Sequence, residues 1–131
     1  MIGLDTNVLL RWLLADDSNP EQSQIAEATI ADAGDDIWIG PVVLAELSWV
    51  MRRNFGLGRA ELVKVLDRLL AAPRFVIADR PSVERAVANF AKGGPGFSDH
   101  LIGALNAAVG CQTTLTFDKS AAKSPHFTQL A

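Results

Sequence analysis

Four acidic residues stand where carboxylate chemistry is possible: Asp5, Glu46, Asp99 and Asp118. Asp5 closes the short apolar run MIGL, and Asp118 closes TTLTF. Asp99 follows the glycine-rich GGPG (93–96) and heads the segment DHLIGALNAAVG, where Ile102 and Asn106 share its face at helical spacing. Glu46 interrupts PVVLAELSWVM (41–51), with Val42, Val43, Trp49 and Val50 about one turn away. A carboxylate on such a face is costly to desolvate without a partner, so Glu46 is expected to point inward at a pocket.

In open parallel sheets, ligands collect beyond the carboxyl ends of the strands. Asp5 and Asp118 fall at that edge directly, and the other two acids lie on helices that can face it. Carboxylates gathered in one cleft repel, and a divalent cation resolves the repulsion. Carboxylate, water and phosphate oxygens suit Mg²⁺ or Mn²⁺. No Cys/His set has the spacing of a zinc site. Such a cation implies phosphoryl chemistry, in which an acid orients water and the metal stabilises charge on the phosphate.

The elements that must position these acids alternate between strand and helix. MIGL is a strand, NVLLRWLLA a helix, and Asn19-Pro20 opens a second helix running to about Ala33. The strand DIWIG leads to Pro41 and the helix bearing Glu46, which Gly56 and Gly58 stop. RAELVKVLDRLLAA is an amphipathic helix, RFVIA a strand and PSVERAVANFAK a helix. Ser98 is expected to cap the helix bearing Asp99; TTLTF and HFTQLA supply the last strands. The pattern predicts a single α/β domain over residues 1–131, with a central parallel sheet flanked by helices as an α/β/α sandwich.

The chain has 131 residues, 12 basic and 15 acidic, for a net charge of −3. That balance argues mildly against nucleic-acid binding, but setting aside the four site acids leaves 11 against 12 bases. Arg11, Arg52, Arg53, Arg59, Lys119 and Lys123 are candidates for phosphate contacts. Cys111 has no partner for an internal disulfide and is expected to be a small buried filler. The N-terminal MIGLDTNVLL lacks a basic leader, and polar residues interrupt the uncharged stretch 100–117. A cytoplasmic protein with no membrane association is therefore expected.

Asp16-Asp17 and Asp35-Asp36 are expected to be solvated turn acids, and Asp79 a peripheral ligand at most. His100 and His126 carry no assigned role in catalysis, and Trp12, Trp38 and Trp49 are core candidates first.

Taken in order, IGLDTNVLLRWLL, VVLAELSWVM, FSDHLIGALNAAVGC and TLTFDKSA resemble a PIN domain. More narrowly they resemble the VapC toxins of bacterial toxin–antitoxin pairs. The resemblance spans essentially the whole chain, although GGPG is more glycine-rich than the family pattern. It implies a Mg²⁺- or Mn²⁺-dependent endoribonuclease in which Asp5, Glu46, Asp99 and Asp118 match the acidic quartet. Asn7 and Thr116 match its polar companions. It also implies an RNA substrate, a homodimer and a VapB-like antitoxin partner. Two alternatives stand beside it: a receiver-like signalling module with a Mg²⁺-binding acidic pocket, and a non-catalytic PIN-like domain that binds RNA or protein. Against the receiver, Glu46 lies within a helix and Lys119 is adjacent to Asp118 instead of following a separate strand.

Overall fold

A computed structural model describes residues 1–14 and 18–131, so Asp16 and Asp17 lie outside the described residues. The chain alternates strand and helix as its periodicity predicts. Strand β1 (Ile2–Gly3) is followed by α1 (Thr6–Leu13) and α2 (Pro20–Ala33), and β2 (Ile37–Ile39) by α3 (Pro41–Phe55) and α4 (Arg59–Ala71). Strand β3 (Phe75–Ile77) leads to α5 (Arg80–Lys92) and α6 (Phe97–Ala108), then β4 (Thr114–Thr116) and β5 (Phe127–Gln129).

β1, β2 and β3 form a parallel sheet in that order, with Ile2 opposite Ile37 and Ile37 opposite Phe75. β4 and β5 form a second parallel ladder, in register from Thr114–Phe127 to Thr116–Gln129. Every strand is short; β1–β2 and β2–β3 are each joined through two α-helices, whereas β4 and β5 are joined by a short link with a single 3₁₀ turn at Ala121–Lys123. The result is an α/β fold whose parallel sheet is flanked by helices.

One apolar cluster holds the elements together. Ile37, Ile39, Phe75 and Ile77 project from the sheet into leucines of α1, α3 and α4, and into Val83, Phe90, Phe97 and Leu101 of α5 and α6. Leu9, Leu10 and Leu13 are buried within it, and Trp12 packs edge-on against Phe75 at 5.1 Å. Leu14 is half-buried, so most of the early apolar residues serve the core. Trp38 lies on the alternate face of β2 and is exposed, contrary to its expected core role. Cys111 is exposed too, in the turn after α6 where the chain has left the helix bundle.

The helix ends follow local chemistry. Asn19 caps α2 by accepting from the Gln22 amide at 3.2 Å, with Pro20 in its first turn. Gly56 adopts the left-handed conformation after α3, letting the Leu57 amide donate to the Met51 carbonyl at 3.2 Å. Asp79 caps α5, accepting from the Ser82 hydroxyl at 2.7 Å, so its side chain is committed to the fold instead of to a ligand. The cap of α6 is Gly96, not Ser98: the helix begins two residues earlier than expected, leaving Ser98 to reach a neighbouring helix.

Gly103 sets how closely α6 approaches β5. A Cβ there would lie 2.8 Å from both His126 Cβ and Phe127 Cε2. Glycine-to-alanine changes within helices ordinarily stabilise by roughly 0.5–1 kcal/mol. Here steric conflict reverses the sign. Gly103→Ala is expected to lower unfolding free energy by about 1–3 kcal/mol, the usual cost of overpacking, measured by urea denaturation. A more stable variant would mean that α6 is free to move away from β5.

Candidate active site

The acids differ in how the fold holds them. Asp5 lies one residue past the end of β1, after Leu4, and caps α1, its Oδ1 accepting the Thr6 amide at 2.7 Å. Asp118 follows β4 in a tight turn. Its Oδ1 accepts the amides of Ser120 at 2.8 Å and Ala121 at 3.4 Å, while its own amide donates to Thr116 Oγ1 at 2.9 Å. Both carboxylates are exposed and each commits Oδ1 to backbone, so Oδ2 has no hydrogen-bond partner among the described residues. Capping and ligation are thus compatible at each position.

Asp99 is half-buried in the first turn of α6. Burial pushes its carboxyl above the ordinary carboxylate range, and the nearby Asp118 adds to the rise, partly offset by His100. The influence of Asp118 on Asp99 marks two acids that the fold brings near each other, one on α6 and one after β4. Asn106, two turns along α6, donates from Nδ2 to Thr114 Oγ1 at 2.9 Å and fastens that strand to the helix.

Glu46 is placed differently from expectation. The buried face of α3 is Leu44, Leu47, Ser48 and Met51. Glu46 therefore lies on the opposite stripe, exposed, between Val42 (76% exposed) and Trp49 (54% exposed). Among the described residues it has neither ion pair nor hydrogen bond, so no arginine neutralises it. Trp49 correspondingly lies outside the core.

Two serines tie the helices bearing Glu46 and Asp99: Ser98, displaced from its expected capping role, and Ser48, for which the sequence suggested none. Ser48 Oγ donates to the Ala45 carbonyl at 2.8 Å, Ser98 Oγ approaches the same oxygen at 3.2 Å, and the hydroxyls are 3.2 Å apart. Ala45 precedes Glu46 and Ser98 precedes Asp99, so this junction joins backbone segments adjacent to both acids. A hydroxyl on the core face of α3 was the signal, since buried polar groups need partners.

A second clamp holds the glycine loop. Arg59 donates to the carbonyls of Phe90 (2.8 Å), Gly94 (2.8 Å) and Pro95 (3.2 Å), with its guanidinium 4.6 Å from the Phe90 ring centre. It is thereby a structural strap and not a phosphate contact. The buried His100 donates from Nε2 to the Gly93 carbonyl at 2.9 Å, and burial holds its pKa below the usual histidine range. His126 is half-buried where β5 begins beneath α6. Asn7 is exposed and lines the groove between α1 and α2.

Among the described residues, no group of three or more His, Cys, Asp or Glu side chains stands close enough to hold a metal ion. Asp5 and Glu46 are thus not gathered with the Asp99–Asp118 pair into one cluster. The donors themselves are all oxygens, and Asp99 is half-buried near a second carboxylate, Asp118, so the donor chemistry fits a hard divalent cation.

The PIN domain model matches residues 2–125, nearly the whole chain. The protein belongs to the PIN-domain family. A search of curated proteins finds no significant match. PIN domains are generally nucleases, bind RNA and typically use divalent metal ions. The α/β architecture agrees with that membership, which sets the receiver-like alternative aside. No helix among the described residues is long and apolar enough to cross a membrane.

The Arg59 clamp can be tested apart from activity. Arg59→Ala removes a charged donor from three carbonyls, so a stability loss of about 1.5–3 kcal/mol is expected in chemical denaturation. Amide exchange at Gly94 and Gly96 should accelerate more than at the centre of the sheet. Unchanged exchange in the loop would remove Arg59 from its placement.

Proposed function

We propose that this PIN domain is a Mg²⁺- or Mn²⁺-dependent endoribonuclease of the VapC type, the toxin of a toxin–antitoxin pair. The observation that carries the reading is the Asp99–Asp118 pair, held between α6 and the turn after β4 within a chain of this family. Asp5, just beyond β1, and Glu46, on the helix tied to the start of α6, are the other two acids of the set; they stand apart from the pair in this structure and would join it in holding metal and activating water once cation and RNA are bound. Thr116 positions Asp118 by accepting its amide, which supports its supporting role; Asn7 is the other polar companion.

A bound cation supplies charge neutralisation and polarises the phosphodiester. The residues of the chain do the remaining work. Asp5 and Asp118 are oriented by their backbone hydrogen bonds, so their carboxylates need little reorganisation. Glu46, exposed and unneutralised, is suited to accept a proton from an attacking water. Arg52, Arg53, Lys119 and Lys123, all exposed, suit the phosphates that flank the cleaved bond. The proposal extends to a cytoplasmic location, a single domain over 1–131, a homodimer and inhibition by a small VapB-like protein.

Asparagine replacements separate charge from fold. Asp5→Asn and Asp118→Asn retain an oxygen that can accept the capping amides, and Glu46→Gln alters an exposed side chain. Each is expected to reduce Mg²⁺- or Mn²⁺-dependent RNA cleavage by roughly 10²-fold or more while leaving the thermal unfolding midpoint close to that of the parent. Cleavage should cease in EDTA and return with either metal. Activity that persists in chelator overturns the proposal.

A further inference from the structure

Beside the acids lies a cleft of about 250 Å³ between α3 and the start of α6, bordered by Trp49, Arg52, Phe97, Ser98 and Asp99. It is smaller than the pockets that enclose drug-sized ligands and suits one flat ring system. Its wall combines an aromatic ring, a cationic donor and a carboxylate acceptor. Trp49 is the unusual member: a large indole more than half exposed on a helix that buries four other side chains. The Arg53 guanidinium lies 4.7 Å from its ring centre, an arrangement that limits the indole's rotation. Nothing in the hydrophobic core requires that indole, because Leu44, Leu47 and Met51 already fill the buried face.

Arg52 borders the same cleft, and its Nη1 lies 3.5 Å from where a side chain at Gly96 would begin. The guanidinium thus reaches the backbone at the start of α6, on the rim of the cleft. A base seated against Trp49 would present its polar edge to Arg52, Ser98 and Asp99, which offer donors and acceptors of the kind that nucleobases pair with. Asp99 is also one of the paired acids, so an occupant of the cleft sits directly beside the candidate catalytic centre.

We propose that Trp49 is a substrate-positioning residue: it stacks one unpaired base of single-stranded RNA in this cleft, next to the bond to be cut. A duplex cannot present that face, because its bases are already stacked. The inference rests on the ribonuclease reading above and names the subsite that would select the nucleotide. Stacking tolerates any base, whereas Arg52 and Asp99 at its edge supply the preference among them.

The test reads binding apart from cleavage. Short single-stranded RNA is titrated into the full chain carrying Asp118→Asn, in EDTA, and followed by fluorescence anisotropy. Adding Trp49→Ala should weaken binding about 5- to 100-fold, the range of one base–aromatic stack, whereas Trp49→Phe should retain most of the affinity. Abasic substitution along the RNA should find one position where losing the base costs affinity with Trp49 and almost none with alanine. Equal affinity of the Trp49 and alanine proteins overturns the proposal, as does an abasic penalty identical in both at every position, or no binding by the Trp49 protein. Metal-dependent cleavage without this coupling defeats the Trp49 role alone; coupling without cleavage defeats the ribonuclease reading alone.

Discussion

The placement of α6 depends on how its first turn is held. A helix N-terminus leaves amide groups unsatisfied, and Gly96 provides no side chain to cap them. Anchoring instead comes from neighbours. Arg59 grips the carbonyls leading into the turn, His100 bonds back to Gly93, and Ser98 meets the Ala45 carbonyl of α3. Those contacts fix Asp99 in a half-buried position where a lone carboxylate is unfavourable. Without them, the first turn could rotate Asp99 outward and relieve its desolvation. The fold thus stores an electrostatic cost at one point and holds it with several charge-assisted or partly buried hydrogen bonds.

Asp5 and Asp118 show a second way of positioning an acid. Each spends one oxygen on backbone amides that the chain must satisfy anyway, at a helix start or a turn. The hydrogen bond that stabilises the turn also sets the direction of the second oxygen. A site built from such residues needs few dedicated supports, which is how short strands of two or three residues can carry it. The consequence is that stability and site geometry share bonds at these positions, so the asparagine forms are the informative substitutions and alanine is not.

Much of this was legible in the sequence. The alternation of strands and helices, Asn19-Pro20 and Gly56 gave the element order, because each signal is local. Asp5 and Asp118 were legible because a strand end is visible in a run of apolar residues. The phase of α3 was not. From Val42 to Met51 nearly every residue is apolar, so periodicity alone does not choose between the face of Leu44, Leu47 and Met51 and that of Val42 and Trp49. Packing chose the former, and Glu46 went outward with Trp49. The Arg59 strap was hidden for a different reason: its three acceptors lie over 30 positions away, and no local pattern announces a guanidinium that binds carbonyls instead of phosphates. Cys111 illustrates a composition rule losing to position, since a cysteine in the turn after a helix has no core to fill.

The outward phase of α3 changes what its acid means. A buried Glu46 would have needed a cation simply to permit folding, and its presence would have been weak evidence for catalysis. An exposed Glu46 has no such requirement, because water solvates it. Its position is then explained by what surrounds it: an exposed indole three residues on, a guanidinium over that indole, and a serine tether beside it that joins α3 to the helix of Asp99. Exposing a tryptophan forgoes roughly the 1.5–3 kcal/mol that burial of a large apolar side chain contributes. A stripe that leaves that stabilisation unused, directly beside a strained acid, is better accounted for by a ligand than by the core, and this links the acids and the cleft into one surface.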